Sequence, residues 1–395
     1  MTGVLEGVRV LDLGRYIAGP LCGAMLGDLG AEVIRIERVG GGEDRAQYPL
    51  GETSDAGAAF LAFNRNKKSL TLDPGSEKGR EVMKRLVETA DIVLVNMPLP
   101  AIQKIGLDYE SLRVIKDDII LLHTSAFGND GPYAERVGFD GIGQVMSGTV
   151  ALSGHPGDPM KSVVCWVDVS TAMFNAYGAL AAILHKRQTG EGQKVETNLL
   201  RSALNLSNVQ IIEEAVIDKN RQATGNRMQE GGPGDLHKTR DGWVMIQVAG
   251  DSLFRRWAKL MGEEEKWTSD PRFASEMLRG DNNAILSERT AAFTKDLTTE
   301  EALAAFAAAK VPAGPMLNPR QVLDDPHVQA VNMYHPTDYP GLARPAPMAE
   351  PGARFSGFDV ARNRPPTCGE HTDEILGGLG YSSTEIDALR QEGVI

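Results

Sequence analysis

Cysteine is scarce in this sequence of 395 residues, which holds only Cys22, Cys165 and Cys368. The three lie far apart, are odd in number and form no CxxC pair, so neither a disulfide framework nor a zinc site is expected. The seven histidines do not pair at metal-ligand spacing, and HExxH, GxSxG and Ser/His/Asp signatures are missing. The sequence therefore predicts no bound metal and no serine-hydrolase chemistry.

Positive charge is also in short supply, since 41 Lys and Arg residues face 53 Asp and Glu residues. The net charge of −12 and the lack of any long basic block argue against a nucleic-acid partner. A local basic pocket for an anionic small molecule stays open. The first seven residues lack a basic and an apolar signal-peptide region. The longest apolar helix, interrupted by Asn175, is interpreted as too short to span a bilayer. We expect a cytoplasmic protein without a membrane partner.

What the chain does contain is a regular alternation of strand and helix patterns over its first 200 residues. Such alternation is typical of βαβ units with a parallel sheet. Strands are predicted at residues 8–13, 32–37, 69–72, 92–96 and 119–124, and helices at 20–29 and 76–89. The predicted fold class is therefore α/β.

The length of the chain and its 42% apolar content favour two domains. The N-terminal part of a large α/β domain is predicted over residues 1–215. A glycine-rich segment then leads to a smaller α+β domain over residues 225–325. The proline-rich C-terminal segment, residues 330–395, is predicted to return to the large domain.

One acidic residue, Asp168, lies at a predicted strand–helix junction. An apolar run over residues 163–167 predicts a strand, and a long apolar helix is predicted from about 171 to 185. Ligands of open α/β sheets bind beyond the carboxyl ends of strands, and a helix N-terminus favours an ionised carboxylate. Asp168 is thus a candidate nucleophile, ionised and partly desolvated. On this segment alone an N-cap is the stronger interpretation; the rest of the chain favours catalysis.

A nicotinamide dinucleotide site is the first alternative, because glycines follow the first strand and Glu37 ends the second. The turn over residues 14–20 does not have GxGxxG spacing, and Pro20 stands where the backbone would approach a pyrophosphate. Basic residues recur near predicted strand ends, among them Arg35, Arg38 and Lys104. Each alone is typical of a solvated surface, but together they suit a phosphorylated nucleotide.

A set of short motifs recurs in order along nearly the full length of the chain. These segments are LEGVRVLDL (5–13), AGP (18–20), LGDLGAEVIRIE (26–37), NRNKKS (64–69), GPY (131–133), GFD (138–140), GEHT (369–372) and LGYS (379–382). No single motif is decisive, but the ordered set is specific. It resembles the family III CoA transferases, which include formyl-CoA transferase and the carnitine-related CoA transferases.

The resemblance implies a large Rossmann-like domain built from both ends of the chain, a smaller domain between them, and an interlocked homodimer. It also implies that Asp168 attacks an acyl-CoA thioester. An acyl–aspartyl anhydride and then an aspartyl-CoA thioester would form, so that one difficult acyl exchange is divided into easier steps. A carboxylate needs no adjacent base for this, because it is normally ionised at neutral pH.

Coenzyme A contacts follow from the resemblance position by position. Phosphate and nucleotide contacts are implied for Arg38, Asn66, Lys67 and Lys68, contacts beside the cofactor arm for Asn96 and Met97, a further CoA contact for Lys104, and a lining of the thioester region for Tyr16, Ile17 and Ala18. Asp140 matches an acidic position near the site, and Gly231, Gly232 and Gly234 match a loop that closes over the intermediates, here stiffened by Pro233. Formyl-CoA transferase has glutamine in place of Ile17, which favours a larger or more apolar acid here.

Two alternatives share the implied fold or ligand. An α-methylacyl-CoA racemase needs a base on each face of the α-carbon, and the racemase pattern has histidine directly before Asp140. This chain has Phe139 there, which cannot move a proton, so transfer is favoured over racemisation. A non-catalytic acyl-CoA-binding protein is the second alternative, and the presence of Asp168 together with the basic set argues against it.

Overall fold

The computed structural model describes residues 3–395. The strands of this part are β1 (Arg9–Asp12), β2 (Glu32–Glu37), β3 (Lys67–Thr71), β4 (Ile92–Val95), β5 (Ile120–Ser125), β6 (Gly154–His155), β7 (Asp158–Pro159), β8 (Lys194–Asn198), β9 (Gly234–Lys238), β10 (Trp243–Gln247), β11 (Ala313–Pro315), β12 (Tyr334–Thr337) and β13 (Ala346–Ala349).

The α-helices of the same part are α1 (Ala18–Asp28), α2 (Ala58–Phe63), α3 (Glu77–Thr89), α4 (Leu99–Lys104), α5 (Tyr109–Ile115), α6 (Asp140–Met146), α7 (Thr149–Leu152), α8 (Trp166–Thr189), α9 (Leu199–Leu206), α10 (Asn208–Ile217), α11 (Asp251–Leu260), α12 (Glu264–Ser269), α13 (Glu276–Asp281), α14 (Asn283–Thr294), α15 (Thr299–Ala308), α16 (Pro319–Asp324), α17 (Pro326–Ala330), α18 (Thr372–Gly378) and α19 (Ser383–Gln391). Short 3-10 helices cover Glu43–Ala46 and Pro271–Phe273.

A six-stranded parallel sheet in the order β3-β2-β1-β4-β5-β8 forms the framework and confirms the predicted α/β class. Its central strands are buried on both faces, as their runs of Val, Ile and Leu require. Leu11 and Val93 pack with α3, α5, α18 and α19 on one face. Val10 and Leu94 pack with α1 and α8 on the other. Two apolar cores therefore fix the sheet from both sides.

The strand order reverses beside β1, whose neighbours are β2 and β4. Chain segments leave these strands in opposite directions, which opens a crevice at the carboxyl ends of the strands. The loops after β1 and β4 meet there. Any ligand site of the sheet is expected at this crevice.

The chain divides into two compact units. The larger holds the residues up to Ser147, Ser162–Ile212 and Asn332–Ile395; the smaller holds Gly148–Lys161 and Glu213–Val331. Within the larger unit, the C-terminal segment packs against the sheet: the amide of Asp73 donates to the Val394 carbonyl at 2.8 Å, and Leu376 is fully buried in the core.

The smaller unit is built on the antiparallel sheet β11-β10-β9, with α11 and α15 over it. Its core is rich in aromatic side chains, of which Trp257 and Phe306 are fully buried. The unit also takes the β6–β7 hairpin, which the sequence had assigned to the large domain. The hairpin is tied to the small unit by a hydrogen bond from the Gly225 amide to the Gly154 carbonyl.

Helix α8 begins at Trp166, so the predicted strand over residues 163–167 and the predicted helix start near 171 are both wrong. Val163 and Val164 are 88% and 60% exposed, because no neighbouring strand pairs with this run. The sequence had also judged this helix too short for a bilayer. Among the described residues, α8 is the one helix long and apolar enough to cross a membrane by length and composition.

Helix α8 nevertheless packs as a core helix of the larger unit. Its polar interruption, Asn175, is fully buried and donates to the Thr124 hydroxyl at 2.8 Å, while its side-chain oxygen accepts from Thr197 at 2.7 Å. These partners lie on β5 and β8. The amide thus satisfies polar groups beneath the helix.

Candidate active site

The loop after β1 is held tightly at the crevice. The Gly14 amide donates to Asp12 at 2.7 Å, and a side chain at Gly14 would come within 2.9 Å of Pro20. Asn96, which follows β4, accepts from the Arg15 amide at 2.8 Å and donates to the Arg15 carbonyl at 2.7 Å. A side chain after one strand therefore clamps the backbone after its neighbour.

Two cavities adjoin this clamp. The first, of about 630 Å³, is lined among others by Arg38, Lys104 and Met97. The second, of about 620 Å³, is lined among others by Asp168 and Asn96. Arg15, Tyr16 and Met97 line both cavities, so the two cavities are neighbours along one cleft wall.

The first cavity combines cations and carboxylates with an apolar wall. Arg38 is mostly exposed and pairs with Glu43 at 2.9 Å. Lys104 ends α4 and is also exposed. The apolar wall includes Ile36 and Leu72. Such a cavity suits a flat ring carrying phosphate groups nearby.

Asp168 lies in the first turn of α8, three residues after the N-cap position occupied by Cys165. It is half-buried and lines the second cavity. The capping role that the sequence left open is therefore wrong for Asp168. Its carboxylate faces a cavity instead of closing the start of its own helix.

The start of α8 is capped from a distance by Asp140. One Asp140 oxygen accepts from the amides of Val167 at 2.8 Å and Asp168 at 3.2 Å. The other oxygen accepts from Gln144 at 2.5 Å, and the Gln144 oxygen accepts from the Ser162 amide at 2.9 Å. Asp140 thus takes amide donors that would otherwise stabilise an anionic Asp168.

Burial, and then the charge of Asp140, raise the pKa of Asp168 to about 7. The sequence had predicted a carboxylate that stays ionised at neutral pH, and this arrangement contradicts that expectation. The physical reasons are, first, the burial of the Asp168 carboxyl, which disfavours its charged form, and second, the nearby charge of Asp140. Near pH 7, Asp168 exists in both protonation states, and its ionised form is a stronger nucleophile than an ordinary aspartate.

Cys165 joins the two acids in a compact group. Its sulfur and one oxygen each of Asp140 and Asp168 lie within 4.8 Å of one another, a spacing that could hold a metal ion. Both Asp140 oxygens already accept N–H groups, which leaves them poorly placed as ligands. The absence of a metal stays a prediction.

The lining of the second cavity is mostly apolar near Asp168. Tyr16 packs edge-on against Phe139 with ring centroids 5.6 Å apart, and Ile17 and Ala18 lie beside them. Helix α1 begins at Ala18 with no side-chain cap. Its first amides can therefore serve a ligand oxygen. Phe139, which has no group that could transfer a proton, also lines this cavity.

The structure does not bring Lys67 to the cleft as a phosphate ligand. Its ammonium is fully buried and donates to Asp12 at 2.6 Å, the Pro20 carbonyl at 2.7 Å and Asn64 at 2.9 Å. Burial lowers the pKa of Lys67 to about 8, with the Asp12 charge opposing that shift. The predicted CoA contact is replaced by a buried ion pair beneath α1.

Asn66 and Lys68 are also turned to other partners. The Asn66 amide nitrogen donates to Asp28 at 2.8 Å, and its backbone adopts a left-handed φ of 61°. Lys68 pairs with Glu32 at 3.1 Å and with Glu374 at 2.7 Å. Because β3 begins at residue 67, these side chains belong to the amino end of the strand, opposite the edge that binds ligands.

The predicted closing loop is packed inside the smaller unit. Gly231, Gly232 and Gly234 are all buried. The Gly234 carbonyl accepts from the Met228 amide at 2.8 Å, and a side chain at Gly234 would come within 2.8 Å of Met228. These glycines serve close packing here, so the structure gives no support to a mobile cover.

A buried ionic network was not predicted from the sequence. The Arg35 guanidinium donates to both carboxylate oxygens of Asp44, at 3.0 and 2.8 Å, and also to the Gly14 carbonyl. Burial alone would raise the pKa of Glu37, but Arg45 and Arg35 outweigh it and lower that pKa to about 2. The Glu37 carboxylate thus forms an ion pair with the Arg45 guanidinium at 2.7 Å. It cannot serve a ribose, which removes the remaining support for a dinucleotide site.

Sequence reasoning also missed three further residues of this region. Arg15 and Arg136 line the second cavity. His123 is buried, and burial lowers its pKa; its ring contacts the Met97 carbonyl at 2.9 Å and Asn129 at 3.1 Å. A neutral ring that donates to Met97 and accepts from Asn129 fits both contacts. Arg15 follows β1 and Arg136 follows β5, which was the available signal for the two arginines, whereas His123 lies within β5.

Comparison with known proteins gives consistent matches along the chain. The profile described as CoA-transferase family III matches residues 5–372. Succinyl-CoA--D-citramalate CoA-transferase of Chloroflexus aurantiacus is 33% identical over 99% of this chain and 98% of that protein. Succinate--glutarate CoA-transferase of Agrobacterium fabrum is 33% identical over 95% of each. The crystal structure of a CAIB/BAIF family protein from Brucella suis matches at a TM-score of 0.84 and 32% identity, over 96% of this chain and 100% of that one.

Proposed function

This chain belongs to CoA-transferase family III, and we propose that Asp168 is the residue on which it passes CoA from one carboxylic acid to another. The enzyme transfers CoA between an acyl-CoA and a free carboxylic acid. The observation that supports Asp168 is its placement in a cleft, with a pKa raised to about 7 by burial and by Asp140. A perturbed acid in a cleft is a strong candidate for catalysis.

The proposed reaction runs through two covalent states of Asp168. The ionised carboxylate attacks the thioester carbonyl, the C–S bond breaks, and an acyl–aspartyl anhydride and a CoA thiolate form. The thiolate then attacks the aspartyl carbonyl, which releases the donor acid and leaves an aspartyl-CoA thioester. The acceptor carboxylate attacks this thioester and repeats the two steps in reverse. Each step exchanges one acyl bond for another, so no external reductant or water is consumed.

Trapping with hydroxylamine tests this proposal directly. The purified enzyme is incubated with succinyl-CoA or acetyl-CoA, treated with hydroxylamine and analysed by peptide mass spectrometry. We expect a hydroxamate at Asp168, because both covalent states are activated acyl groups. Turnover without an adduct at Asp168 would contradict the mechanism. Tight acyl-CoA binding without turnover would instead favour a non-catalytic binding protein.

We propose that the first cavity holds the nucleotide of CoA and that Asn96, Met97 and Lys104 lie along the cofactor arm. Arg38 would then contact phosphate, since it is exposed at the cavity and its carboxylate partner, Glu43, is exposed as well. An anionic phosphate can share or replace that partner. The pantetheine arm would follow the shared wall toward Tyr16 and Asp168.

Arg38→Ala is expected to weaken CoA binding about tenfold with little change in melting temperature, because an exposed ion pair contributes under about 1 kcal/mol to stability. Lys67→Ala is the matched contrast. It leaves Asp12 buried without its cation and should destabilise the protein by about 3–5 kcal/mol. Calorimetry for CoA and thermal unfolding separate the two effects. Equal loss of CoA affinity in both folded variants would restore the original assignment of Lys67.

The substrates are proposed from the relatives. The two named above carry succinyl-CoA, D-citramalate, succinate and glutarate in their names. All four are dicarboxylic acids or the CoA thioester of one, and all are larger than formate. We therefore propose acids of this size class for this enzyme, in line with the loss of a polar side chain at Ile17.

We also propose an interlocked homodimer. Helix α10 has no buried residue in the single chain, and its exposed side chains include Val209, Ile211, Ile212, Val216 and Ile217. Contiguous apolar surface of this kind is typical of a covered interface. Light scattering should give the mass of two chains, unchanged on dilution because interlocked chains separate only on unfolding. A monomer at any dilution would contradict the interlocked form.

A further inference from the structure

Arg136 lies in a distinctive position in the second cavity. It lines the cavity that holds Asp168 but not the one that holds Arg38 and Lys104. Its guanidinium carbon is 4.0 Å from the centroid of the Tyr133 ring. Among the described residues, no carboxylate lies within ion-pair distance of this guanidinium. Its charge is therefore available to a ligand.

Stacking fixes the face of the guanidinium and leaves its edge open. Tyr133 is itself held edge-on by Phe127, with ring centroids 5.7 Å apart. The N–H groups of arginine lie along the edge of the plane, where they can donate two parallel hydrogen bonds to a carboxylate. The aromatic pair thus presents Arg136 as a preorganised carboxylate receptor.

The location of Asp168 assigns a role to this receptor. The reacting carbonyl must reach Asp168, while the rest of the acyl group fills the same cavity. Arg136 is exposed, so beside an alkyl tail its charge stays solvated by water, whereas a second carboxylate would form an ion pair with it. The neighbouring Glu135 also lines the cavity, and it would repel a tail that is anionic but out of reach of Arg136.

We infer that Arg136 binds the distal carboxylate of a dicarboxylic acyl group while its other end reacts at Asp168. The inference rests on the proposed function and adds its specificity determinant. Arg15 is distinguished from Arg136 because it lines both cavities and lies between the nucleotide and the nucleophile. That position suits the phosphates of CoA better than the acid.

The test compares acceptors of equal chain length, glutarate and valerate, with succinyl-CoA and butyryl-CoA as donors. The wild-type enzyme should prefer glutarate. Arg136→Met keeps the apolar stem of the side chain. It should lower kcat/KM for glutarate by at least about 30-fold and leave kcat/KM for valerate within about twofold of the wild-type value. Arg38→Ala is the control, and it should lower kcat/KM for both acceptors by the same factor because it weakens CoA binding.

Two results would overturn the inference: an equal loss for both acceptors in Arg136→Met, or no preference for glutarate in the wild-type enzyme. The second result would leave CoA transfer itself intact. Failure of the proposed function would look different, because no donor and acceptor pair would exchange CoA and no adduct would form at Asp168.

Discussion

Replacing Asp168 by alanine is expected to reduce kcat for CoA transfer by at least about 1,000-fold, because the variant has no group on which the acyl chain or CoA can be carried. The hydroxylamine adduct should disappear with it. Affinity for CoA should change little, since Asp168 does not line the first cavity, which we propose for the nucleotide. Steady-state kinetics, adduct mapping and calorimetry measure the three quantities on the same preparation.

Asp168→Asn is the matched variant, since an amide keeps the shape but forms no anhydride. Its effect on stability has a defined sign. The pKa of Asp168 rises from 3.8 to about 7 on folding, so the ionised form is disfavoured in the folded protein. The resulting cost is absent below the unfolded pKa, grows between the two values and is complete above about 7. Asp168→Asn should therefore melt higher than wild type at pH 8 but not at pH 4.

A variant at Asp168 that unfolds, or one that keeps turning over, would contradict this account. Unfolding would mean that the carboxylate supports the helix after all. Retained turnover with a mapped adduct elsewhere would assign the chemistry to another residue. An inactive but more stable enzyme is the expected result, because the site holds two acids close together at the expense of stability.

Asp140→Asn is expected to produce the second large effect, a change in pH dependence. Loss of the Asp140 charge removes one of the two causes that raise the pKa of Asp168. The acid limb of kcat/KM should have its midpoint near pH 7 in the wild type and about one pH unit lower in the variant. The asparagine oxygen can still accept the amides of Val167 and Asp168, so the helix start should persist.

Gln144→Ala is the control for Asp140→Asn. This variant removes the hydrogen bond to Asp140 but keeps both carboxylates. We therefore expect kcat to fall because Asp140 is misplaced, while the midpoint of the acid limb of kcat/KM stays near pH 7. Two outcomes would mean that Asp140 acts only as a structural cap. One is an acid-limb midpoint in Asp140→Asn equal to that of the wild type, and the other is an equal shift of this midpoint in Gln144→Ala. Profiles from about pH 5 to about pH 9 distinguish these cases.

Much of the fold followed from the sequence, because short range patterns specified it. Strand β2 was predicted with the bounds that the structure shows, because its apolar run is a local pattern of the sequence. The prediction failed at residues 163–167. A β-branched run favours a strand locally, but a strand needs a neighbour to pair with, and none is present there. The backbone turns into α8 instead.

The sequence by itself determined the α/β class, the family and the acid that lies at the head of α8. Periodicity, ordered motifs and residue type carry that information without reference to distant contacts. Only the tertiary structure decided which charges face the cleft. Lys67 and Arg38 look alike in sequence, yet the Lys67 ammonium is buried in an ion pair with Asp12, whereas Arg38 is exposed at the first cavity. The protonation state of Asp168 likewise depends on Asp140, 28 residues away along the chain, because electrostatic shifts follow distance and burial in space.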